Sequence, residues 1–213
     1  MPDVVLPVLN EAAALPAVLS RLPSGYRPIV VDNGSIDGSG DVARSFGATV
    51  LLEPRRGFGA ACHSGLRAAE SDVVCFMDCD GSLDAADLIL VTKPVLDGDA
   101  DLVLGRRQAI DRAWPLHSRA ANKWLSRRVN KVAGTKLRDI GPMRSARRKG
   151  LLTLDLVDRR FGYSFEMVFK AGRSGWRIAE VDIPYSPRIG KSKVTGTLRG
   201  TIKAAADIGK VLR

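Results

Sequence analysis

The chain has 213 residues, 45% of them hydrophobic and 26% charged, with a net charge of +10. These proportions exclude a disordered, collagen-like or low-complexity chain and fit one globular domain, residues 1–213. No run approaches the roughly 18 apolar residues that span a bilayer, no basic stretch precedes the first apolar run, and Cys62, Cys75 and Cys79 form no C-x-x-C pair, so a cytoplasmic protein with reduced thiols and no secretory leader is expected.

In chain order, short apolar runs first alternate with amphipathic stretches. Val4-Val5-Leu6 predicts a strand ending at Pro7. Leu15, Val18 and Leu19 predict a helix over 11–21. Ile29-Val30-Val31 predicts a second strand, closed by the turn formers Asp32-Asn33-Gly34-Ser35. A helix over 38–46, a strand over 49–52 and an alanine-rich helix over 58–70 follow. Val73 to Met77 predicts a fourth strand, apolar on both faces. Leu102-Val103-Leu104 predicts a fifth. A helix is expected over 116–133, with Trp124, Leu125, Val129 and Val132 inward and Arg119, Lys123 and Arg127 in a basic stripe. Residues 162–172 read as helix and Ile178 to Ile183 as strand. From Val194 to Leu212, apolar residues recur at three- and four-residue steps. Apolar strands separated by helices predict a buried, mostly parallel sheet built from βαβ units. Ligands of such sheets bind beyond the carboxyl ends of the strands. His63 and His117 lack metal-ligand spacing, and Trp114, Trp124 and Trp176 read as packing residues.

The polar residues after each strand carry the chemistry. Asp78-Cys79-Asp80 follows the fourth strand, and carboxylates at i and i+2 on extended chain project to one side. They repel unless a cation lies between them, and oxygen-only ligands suit Mg²⁺ or Mn²⁺ with substrate phosphates. The alternative is a solvated Asp-Gly turn. Arg56-Gly57-Phe58-Gly59 places a cation and small residues at a helix start, where backbone amides can meet an anion.

Four segments occur in order: Pro7-Val8-Leu9-Asn10-Glu11, Asp32-Asn33-Gly34-Ser35-Ile36-Asp37-Gly38-Ser39, Arg56-Gly57-Phe58-Gly59-Ala60-Ala61 and Asp78-Cys79-Asp80. With Leu104-Gly105-Arg106, Asp139-Ile140-Gly141-Pro142-Met143-Arg144, Tyr163-Ser164-Phe165-Glu166-Met167 and Pro187 to Lys193, they cover nearly the whole chain. The set resembles the family 2 glycosyltransferases, closest to the branch similar to dolichol-phosphate mannosyltransferase and other polyprenyl-phosphate glycosyltransferases. The resemblance implies an α/β GT-A fold, a three-layer sandwich around a mostly parallel sheet. It implies a nucleotide-diphosphate sugar (GDP- or UDP-hexose) as donor and Mg²⁺ or Mn²⁺ on Asp78 and Asp80. Pro7, Leu9, Glu11, Asp32, Asn33, Gly34, Arg56, Gly57, Asp78, Cys79, Asp80, Ser192 and Lys193 would then hold the donor, with Arg188 beside the last two. The family often has a second Asp where this chain has Asn33.

Charge divides the chain. Residues 1–100 hold 7 basic and 14 acidic residues, net −7; residues 101–213 hold 26 and 9, net +17. The first part suits a metal-bound donor and the second a phosphorylated acceptor, since arginine binds phosphate in a planar, bidentate way. The resemblance places Arg106, Arg119, Arg144 and Glu166 at that acceptor, a lipid phosphate at a membrane surface, with Arg106 also catalytic. Asp139 is its candidate base, although a phosphate monoester is already largely ionised at pH 7. Two alternatives stand beside this reading. One keeps the donor but uses a small soluble hydroxyl acceptor. The other is a basic nucleic-acid-binding module, which lacks interleaved aromatics and leaves Asp78 and Asp80 unexplained, so no nucleic-acid partner is expected. Nothing in the sequence specifies an oligomeric state.

Overall fold

A computed structural model describes residues 1–110 and 116–190, apart from the side chains of 116–118 and of 132 and 133. Trp114, the His117 and Val132 side chains, Ser192, Lys193 and the apolar series from Val194 to Leu212 lie outside the described residues.

Seven strands form one sheet: β1 (Asp3–Val8), β2 (Arg27–Asp32), β3 (Thr49–Leu52), β4 (Val73–Phe76), β5 (Leu102–Ala109), β6 (Arg144–Arg147) and β7 (Ile178–Tyr185). Their order is β3-β2-β1-β4-β6-β5-β7. All pairings are parallel except those of β6, which runs antiparallel to both β4 and β5. The sequence pattern does not announce β6, because Arg144-Ser145-Ala146-Arg147 is short and carries a charge at each end. β5 also outruns its apolar triplet: five residues beyond Leu104 stay in register with β7, to Ala109 opposite Tyr185. There, backbone pairing extends a strand whose side chains lack the apolar pattern.

Among the described residues, seven α-helices cover the sheet: α1 (Leu15–Ser20), α2 (Ser39–Ser45), α3 (Phe58–Ala68), α4 (Leu88–Leu96), α5 (Leu116–Ala133), α6 (Arg148–Thr153) and α7 (Tyr163–Arg173). Strand alternation sorts the core into two halves. Val5, Ile29, Val31, Val74, Phe76, Leu102 and Leu104 pack with residues of α3, α5, α6 and α7. Val4, Leu6, Val30, Val73, Cys75 and Val103 pack with residues of α1, α2 and α4. The result is the expected three-layer α/β arrangement.

α5 matches the expected 116–133, but its inward stripe differs. Asn122, Ser126 and Val129 are buried, whereas Trp124 is 51% exposed with the Arg128 guanidinium over its ring. Arg119, Lys123, Arg127, Arg128 and Lys131 share the exposed side of this helix with Trp124. Trp176, by contrast, packs against the core beside Gly150.

Candidate functional site

Strand order reverses between β1 and β4, and the loops beyond their carboxyl ends line one edge of the sheet. On its β1–β3 side this edge is locked by side chain to backbone bonds. Asn10 and the turn after β2 clasp each other: the Asn10 amide donates to Ser35 Oγ (2.9 Å), and the Ile36 amide donates to Asn10 Oδ1 (2.8 Å). Glu11, half-buried, donates its amide to Ser39 Oγ. Asp32 Oδ1 accepts from the amides of Gly34 (3.1 Å) and Ser35 (2.7 Å), so one carboxylate oxygen shapes the turn. Asp37 caps the next turn through Ser39 and Ala12.

Asn33 serves this lock and not a ligand. Its Nδ2 donates to the carbonyls of Glu53 and Arg55, both at 2.8 Å, and its Oδ1 accepts from the Gly57 amide at 2.8 Å. A carboxylate here would oppose two carbonyl oxygens. That accounts for Asn where the resemblance leads one to expect a second Asp.

The start of α3 also departs from expectation. The amides of Gly59 and Ala60 are spent on the carbonyls of Arg160 and Arg159, both at 2.9 Å. Gly57 has φ 149°, and a Cβ there would overlap the Arg159 carbonyl. The helix start is therefore sealed by the 159–160 loop and offers no open anion nest at these amides. Glu166 holds that loop. Its buried carboxylate accepts from the amides of Val157 (3.0 Å) and Asp158 (2.8 Å) and pairs with Lys170 (2.8 Å). It is an anchor, which corrects its assignment to an acceptor. Arg56 stays exposed, its guanidinium lying over Gly34, where φ is 93° and a Cβ would crowd it.

Beyond β4 the charges concentrate. Asp80 is buried; its Oδ1 accepts from the Ser82 amide (3.0 Å) and hydroxyl (2.5 Å), and its Oδ2 pairs with Arg188 Nη2 at 2.6 Å. Ile189 donates its amide to the Asp80 carbonyl at 2.7 Å, which seats the segment after β7 on this loop. Burial and the Asp80 carboxylate push the half-buried Asp78 up to about 6, against the opposite pull of Arg107, Arg144 and Arg188. Cys79 turns its thiol into the core on the α1–α4 side, so its side chain takes no part.

Arg106, which the resemblance places at the acceptor, and its neighbour Arg107 have different partners. Successive strand residues project oppositely. Arg106 turns to Asp182, its register partner on β7, and pairs with both carboxylate oxygens. Arg107, together with Arg144 and Arg188, acts electrostatically on Asp78. It is clamped by Asp139, whose buried carboxylate accepts from the Arg107 amide (2.9 Å), Nε (2.9 Å) and Nη2 (2.8 Å). Asp139 is thereby committed to an ion pair and is no free base. Arg144, 2% exposed, donates to the carbonyls of Ser164 (3.0 Å) and Gly141, and burial pushes it down to about 10. It lies behind Asp78 among Pro7, Phe58, Phe76 and Tyr163, which corrects its placement on an acceptor. Arg119 is exposed on α5. The doublet Arg106-Arg107 was the available signal, but the face of each depends on strand register.

Among the described residues, no group of three or more His, Cys, Asp or Glu gathers as a metal cage. The two carboxylates would fit a hard divalent cation, with water and phosphate as its remaining ligands, once Arg188 yields Asp80 Oδ2 to it.

The sequence model described as Glycosyl transferase family 2 matches residues 3–154. An uncharacterized glycosyltransferase of Mycobacterium tuberculosis is 48% identical over 211 residues, covering 98% of this chain and 96% of the relative. A dolichyl-phosphate hexose transferase of Haloferax volcanii is 31% identical over 196 residues, covering 90% and 85%. Among solved structures, glucosyl-3-phosphoglycerate synthase from Mycobacterium tuberculosis, in complex with Mn²⁺, UDP and glucosyl-3-phosphoglycerate, superposes with a TM-score of 0.76 at 24% identity, over 100% of this chain and 78% of that one.

Two stability outcomes follow from the site. Asn33→Asp sets a charge against two carbonyls and should cost about 2–3 kcal/mol, read as a lower Tm; an unchanged Tm would contradict the lock. Asp78→Asn should raise the Tm of metal-free protein by about 2–4 °C at pH 7. The sign follows from the raised Asp78 value: folding disfavours the charged form, a cost that grows from about pH 4 and is complete above about pH 6. The gain should therefore vanish when calorimetry is repeated near pH 4.

Proposed function

The chain belongs to glycosyl transferase family 2, and from that membership we propose that it transfers a hexose, with inversion, from a nucleotide-diphosphate sugar to a phosphorylated acceptor. The observation that carries the proposal is the gathering of Asp78, Asp80, Arg107 and Arg188 at one sheet edge, with Arg188 paired to Asp80 and Arg107 held by Asp139. Carboxylates suit a metal-bound diphosphate; a fixed guanidinium beside them suits a second phosphate. In this reading the chain is one catalytic unit. Glu11, Asp32, Gly34 and Arg56 hold the nucleotide, and the family resemblance assigns Ser192 and Lys193, outside the described residues, to the donor as well. Asp78 and Asp80 hold Mg²⁺ or Mn²⁺, which when bound neutralises the departing diphosphate. The Mn²⁺ and UDP of the M. tuberculosis synthase support this choice of ion.

Arg107 grips the acceptor phosphate and aims one of its oxygens at the sugar C1. The new O–C1 bond forms as the C1–O bond to the nucleoside diphosphate breaks, and the bonding pair leaves with the diphosphate. A phosphate monoester is largely ionised at pH 7 and gives up no proton in this step. That agrees with Asp139 being engaged by Arg107 rather than standing as a base. A soluble phosphorylated acceptor whose hydroxyl attacks is the second reading, favoured by the likeness to glucosyl-3-phosphoglycerate synthase.

A lipid phosphate is the acceptor we favour. The H. volcanii dolichyl-phosphate hexose transferase supports it, as does the exposed face of α5, where Trp124 stands among Arg119, Lys123, Arg127, Arg128 and Lys131. Each basic residue near an anionic leaflet contributes about 1 kcal/mol. No helix among the described residues is long and apolar enough to cross a membrane, so such docking would be peripheral, at the cytoplasmic face.

The test is a panel of UDP- and GDP-hexoses with Mn²⁺ or Mg²⁺, offered a polyprenyl phosphate and 3-phosphoglycerate. Metal-dependent thermal stabilisation by one nucleotide, and transfer to one acceptor, are expected. Asp80→Ala should abolish both, and Arg107→Ala should raise acceptor KM at least about tenfold. Stabilisation by DNA with none by nucleotide would sink the reading. Sedimentation of the full chain with anionic liposomes at low salt should weaken several-fold in Trp124→Ala/Arg128→Ala; binding equal on neutral liposomes would remove membrane docking.

A further inference from the structure

Beyond Arg107 itself, the structure records what holds it. The segment between α5 and β6 has almost no regular backbone pairing, yet its amides are taken one after another by side chains. Asn130 Oδ1 accepts from the Leu137 amide at 2.8 Å. Both oxygens of Glu180, on β7, accept from the Arg138 amide (2.9 and 3.0 Å), and Oε1 also accepts from the Asp139 amide at 2.8 Å. Asn122 Oδ1 takes the Ile140 amide at 3.1 Å. Asp139, fixed by its own backbone, then grips Arg107 with both carboxylate oxygens. β7 closes the other side as well, since Tyr185 lies under the Arg107 guanidinium at 5.4 Å.

We propose that Glu180 is a positioning residue for the phosphorylated acceptor: by holding the amides of Arg138 and Asp139 it sets the Asp139 carboxylate, which sets the Arg107 guanidinium. This rests on the assignment of Arg107 to the acceptor phosphate. The physical reason is economy of orientation. A long arginine side chain loses much rotamer freedom when it grips a phosphate. A clamp that orders it beforehand removes that cost from binding. Carboxylates accept hydrogen bonds from amides strongly, so Glu180 can fix a loop that has no ladder of its own. Glu180 bonds the Arg138 and Asp139 amides, and Asp139 bonds Arg107, so its influence runs through Asp139.

The experiment uses the full chain and two kinds of readout. The first is the Nε–H resonance of Arg107 in ¹⁵N-labelled protein, assigned by its loss in Arg107→Lys. In wild type it should be shifted and slow to exchange, as befits a guanidinium clamped by a carboxylate. In Glu180→Ala it should move to the averaged position of a solvated arginine; in Glu180→Gln, which keeps one acceptor oxygen, it should be partly retained. The second readout is kinetic, with a polyprenyl phosphate and 3-phosphoglycerate as probes. Glu180→Ala should raise acceptor KM about tenfold or more, while donor KM and Mn²⁺-dependent UDP affinity stay within about twofold. Glu180→Gln should recover part of the loss, and Glu180→Ala/Arg107→Lys should be no worse than Arg107→Lys alone. Should Glu180→Ala not fold, Glu180→Gln carries the same comparisons. An unaltered Arg107 signal, an equal loss on the donor side, or multiplicative losses in the double variant would overturn the proposal. A lost clamp signal with acceptor KM unchanged would instead overturn the assignment of Arg107 to acceptor phosphate, and with it the functional half of this inference.

Discussion

Burial of the Asp78 carboxylate beside Asp80 is the constraint on which the polar edge of this sheet depends. Two carboxylates two residues apart at the end of a buried strand cannot both be charged without cations nearby. The fold brings three arginines to them from distant points of the chain: Arg107 at the end of β5, Arg144 at the start of β6 and Arg188 beyond β7. Each comes with its own restraint. Arg107 is held by Asp139, Arg144 by backbone carbonyls, and Arg188 by Asp80 itself. The net +17 of residues 101–213 is thus partly a counter-charge to the acidic first half, drawn to one place by the sheet.

The antiparallel strand β6 is what makes this possible. A strictly parallel continuation would carry Arg144 to the opposite edge. Because β6 runs against β4, its first residue, Arg144, pairs with Phe76, two residues before Asp78. The antiparallel strand therefore delivers a buried cation to the carboxyl end of β4 at its start. Burial of that guanidinium is costly unless its donors are satisfied and acceptors or opposite charge lie near. The Ser164 and Gly141 carbonyls meet the first need and Asp78 the second.

The acidic edge and the basic edge are also mechanically different. Around β1, β2 and β3 the loops are tied by side chain to backbone bonds, from the Asp32 and Asp37 carboxylates within their turns and from neutral Asn10, Asn33, Ser35 and Ser39 across loops. Around β5 and β7 the ties are ionic: Arg106 with Asp182, Arg107 with Asp139, Arg188 with Asp80. Neutral bonds of this kind hold a surface against a ligand without adding charge to it. Ion pairs at a site leave charges that an incoming anion or cation can share or displace, which is the property a phosphate- and metal-handling edge requires.

Much of this was legible from residues alone. Strands β1 to β4, helices α2, α3, α5 and α7 and the position of Asp78-Cys79-Asp80 at a strand end follow from apolar periodicity and turn chemistry, because both are local. The family resemblance lay in ordered motifs and survived comparison across nearly the whole chain. What the sequence could not assign was the task of each polar side chain after its strand. Asn33, Glu166, Asp139 and Arg144 read as ligand-facing but are bonded to the protein, while no local motif marks Arg107 or Glu180. The difference is decided by which atoms lie within 3 Å once the loops pack, and by whether Arg106 or Arg107 turns toward β7. Those depend on strand register and on contacts between residues 30 to 80 positions apart, such as Arg107 with Asp139 or Arg106 with Asp182. Local pattern determines that strands and helices exist here and in what order; only tertiary packing decides which of their charges are left to meet a ligand.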